Sequence, residues 1–184
     1  MVNVAKNSVL IIIDVQKGFD DPRWGKRNNQ GAESAMSEVL KKFRENARTI
    51  VHVRHDSRNP DSLLREGKPS FEFKDAVKPG KGELVITKHV HSAFIGTDLE
   101  KVLRNMGEPE IYLMGITTDH CVSTTARMSG DLGFRTYIIE DACAAHERED
   151  VGGEKFSPEL VHRVNLASIN GEFAEVIRSE DLFF

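Results

Sequence analysis

The stretch Ser8-Val9-Leu10-Ile11-Ile12-Ile13 decides the fold class. It is a continuous apolar run rich in β-branched residues, which is typical of a central parallel strand covered on both faces. The run ends at Asp14, where a charged residue follows the strand. Because a buried parallel strand is joined to its neighbours by crossovers, this stretch predicts a sheet placed between layers of helices.

The segments that follow alternate between predicted strands and predicted helices. Short apolar segments predict five further strands at 49–53, 84–87, 111–114, 136–139 and 173–177. A first helix is indicated by an apolar stripe at helical spacing: Met36, Val39, Leu40, Phe43 and Ala47. We therefore expect residues 1–184 to form a single α/β domain, a three-layer αβα sandwich with a mostly parallel, six-stranded, Rossmann-like sheet.

Terminal residue patterns predict where the other three helices begin and end. A capping box formed by Thr97 and Glu100 opens one helix, which stops at Gly107. A second follows Gly115, continues to about Leu132 and is closed by Gly133. The third begins where Ser157 precedes a proline, a favoured N-terminal pair, and continues to about residue 169.

The composition excludes several classes of function. The 184 residues carry a net charge of −4, so no basic excess is present to neutralise a nucleic-acid backbone. The longest apolar run, residues 9–13, is far shorter than the ~20 residues of a membrane helix, and no signal peptide is recognised. Two cysteines do not make a disulfide framework, which favours a reducing, cytoplasmic location.

Three reactive side chains follow predicted strands, at the sheet edge where ligands of parallel sheets bind. They are Asp14, Lys88 and Cys121. If Thr118 caps the next helix, Cys121 lies in its first turn, where the helix dipole and a nearby lysine would lower the thiol pKa. The alternatives are that Cys121 is only a buried packing residue and that Asp14 only forms a structural ion pair. Cys143 is expected only to pack.

Two long polar segments, 15–31 and 55–82, are expected to shape a binding pocket, and the second is long enough to act as a lid. Candidate substrate-binding residues are Phe19, Trp24, Phe94 and His120. Packing alone is the alternative for the aromatic ones. Two histidines, His52 and His55, are candidate metal ligands, and Arg27, Arg54 and Arg58 are candidates to bind an anionic substrate. Ordinary structural or solvent-exposed roles are commoner for such residues.

Three segments together resemble the isochorismatase-like cysteine hydrolase superfamily. They are Ile11-Ile12-Ile13-Asp14-Val15-Gln16, the segment from Lys88 through Ser92-Ala93-Phe94 to Gly96-Thr97, and Gly115-Ile116-Thr117-Thr118-Asp119-His120-Cys121-Val122. The resemblance covers nearly the whole chain in order. The superfamily includes nicotinamidases, carbamoyl and ureido amidohydrolases, and isochorismatases proper.

The resemblance implies a catalytic triad of Asp14, Lys88 and Cys121. In the family mechanism the aspartate accepts the thiol proton, the cysteine attacks an amide carbonyl, and water hydrolyses the thioester. The family also has a cis peptide bond before the nucleophile, here between Ile116 and Thr117, so that the N–H groups of Thr117 and Cys121 form an oxyanion hole. No cofactor is implied. The metal-ligand pattern of some nicotinamidases is poorly matched, so no metal is expected.

The expected function is hydrolysis of a small amide, ureido or carbamoyl compound, the only expected partner being that small molecule. One alternative is cleavage of the vinyl ether of isochorismate to pyruvate and a dihydroxybenzoate, with Asp14 as the acid. Because isochorismatases of that kind usually lack the nucleophile, Cys121 favours amide chemistry. A non-catalytic binding module on the same fold is the other alternative. The resemblance also implies a homo-oligomer, a dimer or tetramer. The apolar C-terminal residues 182–184 are one candidate contact, and a tail docked on the core is the alternative.

Overall fold

The computed structural model describes residues 1–184 and contains a six-stranded sheet flanked by helices. The strands are β1 (Ser8–Ile13), β2 (Thr49–His55), β3 (Leu84–Lys88), β4 (Glu110–Ile116), β5 (Thr136–Ala144) and β6 (Glu175–Ile177). The helices are α1 (Ala32–Glu45), α2 (Leu99–Asn105), α3 (Ser123–Asp131) and α4 (Pro158–Ile169). The predicted α/β fold with a parallel six-stranded sheet is confirmed.

The strand order is β3-β2-β1-β4-β5-β6, and every neighbouring pair is parallel. The chain winds outward from β1 in one direction, through β2 to β3, and then returns to β4 and continues the other way. Because parallel crossovers are right-handed, this reversal puts α1 on one face and α3 with α4 on the other. The reversal beside β1 is the switch point where open sheets of this kind bind ligands.

β1 lies at the centre of the core, as its apolar sequence predicts. All six of its residues are buried, and it pairs with β2 from Val9 to Ile13 and with β4 along its whole length. Gly115 in β4 has a φ of +146° and lies directly against the Ile13 backbone, where any Cβ would collide with the Ile13 carbonyl oxygen. The two strands therefore approach each other at a point where only glycine fits.

Several predicted boundaries move, for local reasons. The capping box is not formed, because α2 begins at Leu99 with Asp98 as N-cap. The Thr97 hydroxyl donates to the Ala93 carbonyl and accepts from the Leu99 N–H. β5 extends from the predicted 139 to residue 144 after an irregularity in its pairing with β4. β6 begins at residue 175 rather than 173. The Ser157 cap is confirmed, since its hydroxyl accepts from the Leu160 N–H.

The long polar segment 55–82 is folded against the domain. It contains 3₁₀ turns at Pro69–Phe71 and Asp75–Val77 and buries Leu64, Phe71 and Val77. At the other end of the chain, Leu182–Phe183 pairs with Val2–Asn3, and the Phe184 ring packs edge-on against Phe43. No helix in the structure has both the length and the apolar character needed to cross a bilayer.

Candidate active site

The carboxyl ends of β1, β3 and β4 bring Asp14, Lys88 and Cys121 together. Asp14 follows β1, Lys88 ends β3, and Cys121 lies in the turn after β4. β2 separates β3 from β1, so Lys88 starts about two strand spacings, roughly 10 Å, from Asp14. Its long side chain crosses this gap and donates to Asp14 Oδ2 at 2.6 Å.

The Lys88 ammonium lies inside a ring of four acceptors. Nζ is 2.6 Å from Asp14 Oδ2, 3.1 Å from the Val90 carbonyl oxygen, and 3.2 Å from both His55 Nδ1 and Cys121 Sγ. Ligand atoms of Asp14, His55 and Cys121 lie within 4.8 Å of one another, as metal ligands would. The space between them is filled by Nζ, so this cluster surrounds the lysine.

Asp14 and Lys88 are fully buried, and so is their ion pair. Asp14 has a φ of +52°, and its Oδ1 atom is buried with no hydrogen-bond partner. Because a buried carboxylate oxygen without a partner is costly, its retention suggests a use in chemistry. Cys121 Sγ, 3.2 Å from the lysine, is the nearby group able to supply a proton.

The resting charge of the cysteine differs from the sequence-based expectation. Burial, together with the negative charge of Asp14, raises the pKa of the Cys121 thiol well above its ordinary value, and the Lys88 ammonium only opposes this rise. Burial alone would lower the pKa of Lys88, but Asp14 and Cys121 outweigh it and raise that pKa. The structure therefore gives a raised thiol pKa, whereas the sequence predicted a lowered one.

The turn that carries the cysteine also differs from the prediction. Thr118–Val122 forms one π-helical turn before α3, with Thr117 as its N-cap, so Thr118 does not cap the helix. The Thr118 hydroxyl instead bonds His162 Nδ1 at 2.8 Å, which ties the turn to α4. The Ile116–Thr117 peptide bond before the turn is cis. Wide turns of this kind are frequent at functional sites.

A cavity of about 160 Å³ opens above Cys121. Three of the four predicted substrate-binding residues line it, Phe19, Trp24 and His120, and so does Thr117. The fourth, Phe94, does not reach the cavity, because its buried ring stacks on Phe134 at 6.1 Å. The other lining residues are His55, Ser57, Ser62, Leu64 and His91.

His91 is the residue closest to the sulfur that the sequence interpretation missed. Its Nδ1 lies 3.6 Å from Cys121 Sγ, and its ring lies between those of His55 and His120 at centroid distances of 6.1 and 5.7 Å. The sequence signal that could have placed His91 in the site was its position three residues after Lys88. A short loop after β3 turns this residue back over the sheet edge.

Gln16 is a second residue that the sequence interpretation left without a role. It is fully buried, its Oε1 accepts from the His55 N–H at 2.9 Å, and its Nε2 donates to the Phe71 carbonyl at 2.8 Å. The Gln16 side chain therefore connects the loop after β1 to the end of β2 and to the segment 55–82. Gln16 positions the wall of the cavity and does not line it.

The remaining candidates lie away from the cavity. His52 is buried within β2 and bonds Glu83 at 2.7 Å. Arg27 pairs with Glu33, whereas Arg54 stacks on Phe71 and donates to Thr87. Arg58 is exposed and does not line the cavity. Cys143 is fully buried, which raises its pKa to about 12, in agreement with a packing role.

A larger surface cleft of about 740 Å³ lies on the other side of Phe19. Most of its lining residues are charged, and they pair with one another: Lys74 contacts both Asp20 and Glu33 at 2.6 Å. None of Asp14, Lys88 and Cys121 lines this cleft. We therefore place the candidate chemistry in the smaller cavity, over the cysteine.

Comparison with known proteins shows the family to which the chain belongs. The family model described as the isochorismatase domain matches residues 8–181. The chain belongs to the isochorismatase family of hydrolases. An uncharacterized isochorismatase family protein of Bacillus subtilis is 43% identical over 177 residues, covering 96% of this chain and 95% of that protein. An isochorismatase-family structure from Chromobacterium violaceum superposes with a TM-score of 0.93 at 41% identity, covering 96% and 92% of the two chains.

A more distant relative in this family has a named activity. The maleamate amidohydrolase of Pseudomonas putida is 33% identical over 116 residues, covering 63% of this chain and 49% of that protein. The isochorismatase family thus includes a relative named for hydrolysis of an amide.

Proposed function

We propose that this isochorismatase-family protein hydrolyses a C–N bond of a small amide, ureido or carbamoyl compound through a thioester on Cys121. The observation that carries the proposal is the contact set beneath the cavity, in which Lys88 bonds Asp14 at 2.6 Å and Cys121 Sγ at 3.2 Å. The named activity of the maleamate amidohydrolase relative supports it.

In the first half-reaction, the Cys121 sulfur attacks the carbonyl carbon while Asp14 accepts the thiol proton. The free Oδ1 atom is the acceptor available for that proton. The tetrahedral intermediate collapses as its C–N bond breaks, and the leaving nitrogen takes the proton from Asp14. The products of this half-reaction are an amine or ammonia and the thioester.

In the second half-reaction, water attacks the thioester carbonyl and gives a proton to Asp14. The C–S bond then breaks, and the proton returns to the sulfur, which releases an acid and restores the thiol. Lys88 keeps its proton throughout and stabilises whichever negative charge is present, on Asp14 or on the sulfur. The N–H groups of Thr117 and Cys121 are the proposed donors to the oxyanion.

The buried thiol fits this scheme. A group with a raised pKa does not ionise until a substrate is positioned, so proton transfer to Asp14 accompanies attack. Because Asp14 and Lys88 are fully buried, bulk water does not screen the charges that change during the reaction.

The test is ammonia release from a panel of small amides and ureido acids, with Cys121→Ala protein as the blank. We expect release that requires Cys121, and hydroxylamine should intercept the thioester as a hydroxamate. The same panel includes isochorismate: pyruvate release that survives Cys121→Ala would support vinyl-ether cleavage instead. Amide hydrolysis that survives Cys121→Ala would overturn the proposal.

A further inference from the structure

The cavity above Cys121 is lined without a single formally charged group. Its ten lining residues are two aromatic residues, three histidines, two serines, a leucine, a threonine and the cysteine: Phe19, Trp24, His55, His91, His120, Ser57, Ser62, Leu64, Thr117 and Cys121. Asp14 and Lys88 are buried beneath the sulfur and paired with each other.

Two arginines close to lining residues are already paired with carboxylates. Arg148 donates to Asp119 at 2.7 Å, on the side of His120. Arg65, on the side of Ser57, lies 3.4 Å from the Asp56 carboxylate and donates to the Ser57 carbonyl. Recruiting either cation for a substrate carboxylate would break an existing ion pair.

The histidines do not replace those arginines. Burial lowers the pKa of His55, and the charge of Lys88 lowers it further. Burial also lowers the pKa of His120. Because the ammonium of Lys88 can only donate, Nδ1 of His55 accepts from it, and the ring remains neutral with its proton on Nε2. The rings of His55 and His120 and the serine hydroxyls therefore offer hydrogen bonds to polar groups but no countercharge.

We propose that the substrate of this site is an uncharged amide, in contrast to carboxylate-bearing amides such as maleamate, and that the charge-free lining of the cavity sets this preference. The inference rests on the proposed amide hydrolysis and narrows it to one substrate class. A carboxylate entering this cavity would lose water without gaining an ion pair, which is costly. An uncharged amide would replace its hydrogen bonds to water with hydrogen bonds to the serine and imidazole groups, and its plane would pack on the aromatic rings of the cavity.

The size of the cavity narrows the class further. A volume of about 160 Å³ is roughly five times the ~30 Å³ that one water occupies in the liquid, and smaller than most ligand pockets. The substrate is therefore a compact molecule, with few atoms beyond the amide and one short substituent.

The test compares succinamide with succinamate, which share a four-carbon skeleton and differ in one uncharged amide against one carboxylate. At pH 8 we expect kcat/KM for succinamide to exceed that for succinamate by at least about 100-fold, the ratio expected for about 2.7 kcal/mol of uncompensated charge. Competition with iodoacetamide for Cys121 gives a second readout: succinamide should protect the cysteine at lower concentration than succinamate.

A matched pair of variants separates charge from shape. Ser62→Arg adds a cation at the rim, and Ser62→Gln adds comparable bulk without charge. We expect Ser62→Arg to shift the kcat/KM ratio, or the ratio of protecting concentrations, toward succinamate by at least about tenfold, and Ser62→Gln to leave it unchanged.

Two results would overturn the inference. The first is that the wild-type protein hydrolyses succinamate, or is protected by it, as well as or better than succinamide. The second is that no uncharged amide of this size is hydrolysed or protects Cys121. Failure of the proposed function is a distinct outcome, because it would appear as succinamide hydrolysis that persists in Cys121→Ala protein. In that case the protection assay on wild-type protein still measures the charge preference.

Discussion

The Nζ atom of Lys88 lies 3.2 Å from Nδ1 of His55, which makes this histidine a neighbour of the triad. The two residues are in register across β2 and β3. His55 therefore stands where the lysine side chain crosses on its way to Asp14. Because a lysine ammonium only donates hydrogen bonds, the contact is favourable only when Nδ1 of His55 is the acceptor. The lowered pKa of His55 agrees with a neutral ring.

His55→Leu removes that acceptor, and His55→Asn keeps an oxygen close to the position of Nδ1. Because a hydrogen bond from a charged donor contributes about 1.5–3 kcal/mol, we expect kcat/KM to fall at least about tenfold in His55→Leu and much less in His55→Asn. Nitrogen-detected NMR should show the proton of wild-type His55 on Nε2. Equal activity of the two variants would contradict a positioning role.

Alkylation of Cys121 separates the effects of its two charged neighbours. Asp14 raises the thiol pKa and Lys88 lowers it, so Asp14→Asn should lower that pKa and Lys88→Met should raise it. Since the thiolate is the reactive form, iodoacetamide should label Asp14→Asn faster than wild type at pH 7, and Lys88→Met more slowly. Both variants should nevertheless lose at least about 10³-fold in kcat/KM, because the members of such a unit act together.

Circular dichroism and urea unfolding provide the control, since removing one partner of a buried ion pair typically costs about 3–5 kcal/mol. Labelling of Asp14→Asn that is slower than wild type in a folded protein would show that Asp14 assists thiol ionisation in the resting state.

Gly115→Ala tests the close approach of β1 and β4. The added Cβ would collide with the Ile13 carbonyl, and the backbone at this position has a positive φ. We expect the free energy of unfolding to fall by more than about 4 kcal/mol, or the protein not to fold. Gly133→Ala is the matched control, because its φ is +82° but no atom lies within 4 Å of the new Cβ. Its cost should be the conformational strain alone, about 1 kcal/mol. Similar losses in both variants would rule out a steric cause.

Acid should destabilise the protein in two stages. Burial lowers the pKa of His52, His55, His120, His146 and His162 in the folded state. The unfolded chain therefore binds more protons near pH 6.5, so stability rises with pH through this range and is lost as the pH falls below about 6.5. Urea unfolding at pH 8, 7, 6 and 5 measures this first stage, and a flat profile between pH 7 and 5 would contradict it.

The second stage comes from carboxylates. Ion pairs and hydrogen bonds lower the pKa of Glu33 and of Glu83 to about 2, against the opposing effect of burial. A depressed carboxyl pKa gives stability above the unfolded value, near 4.5, that is lost as the pH falls toward 2. The Glu83→Gln variant should therefore show a shallower loss of stability below pH 4.5 than the wild-type protein.

The sequence by itself determined the sheet and the position of the site on it. The apolar run of β1 requires cover on both faces, and alternating strands and helices permit few other topologies. Three reactive residues at strand ends then fall at one edge, because parallel strands end together. Phe19 and Trp24 lie in the loop after Asp14, and His120 adjoins Cys121, so chain position together with the family resemblance was enough to predict that they line the cavity.

Only the tertiary structure decided the direction of the thiol pKa shift and the lining of the cavity. Sequence position favoured a lowered thiol pKa, but burial and the Asp14 charge raise it, and burial is a property of the packed molecule. His91 reaches the sulfur because of how the loop after β3 turns, whereas Phe94 turns away to stack on Phe134. The strands and helices themselves follow from local patterns of apolar residues. Solvation, the pairing of charges and side-chain direction depend on contacts between distant residues, which no local pattern encodes.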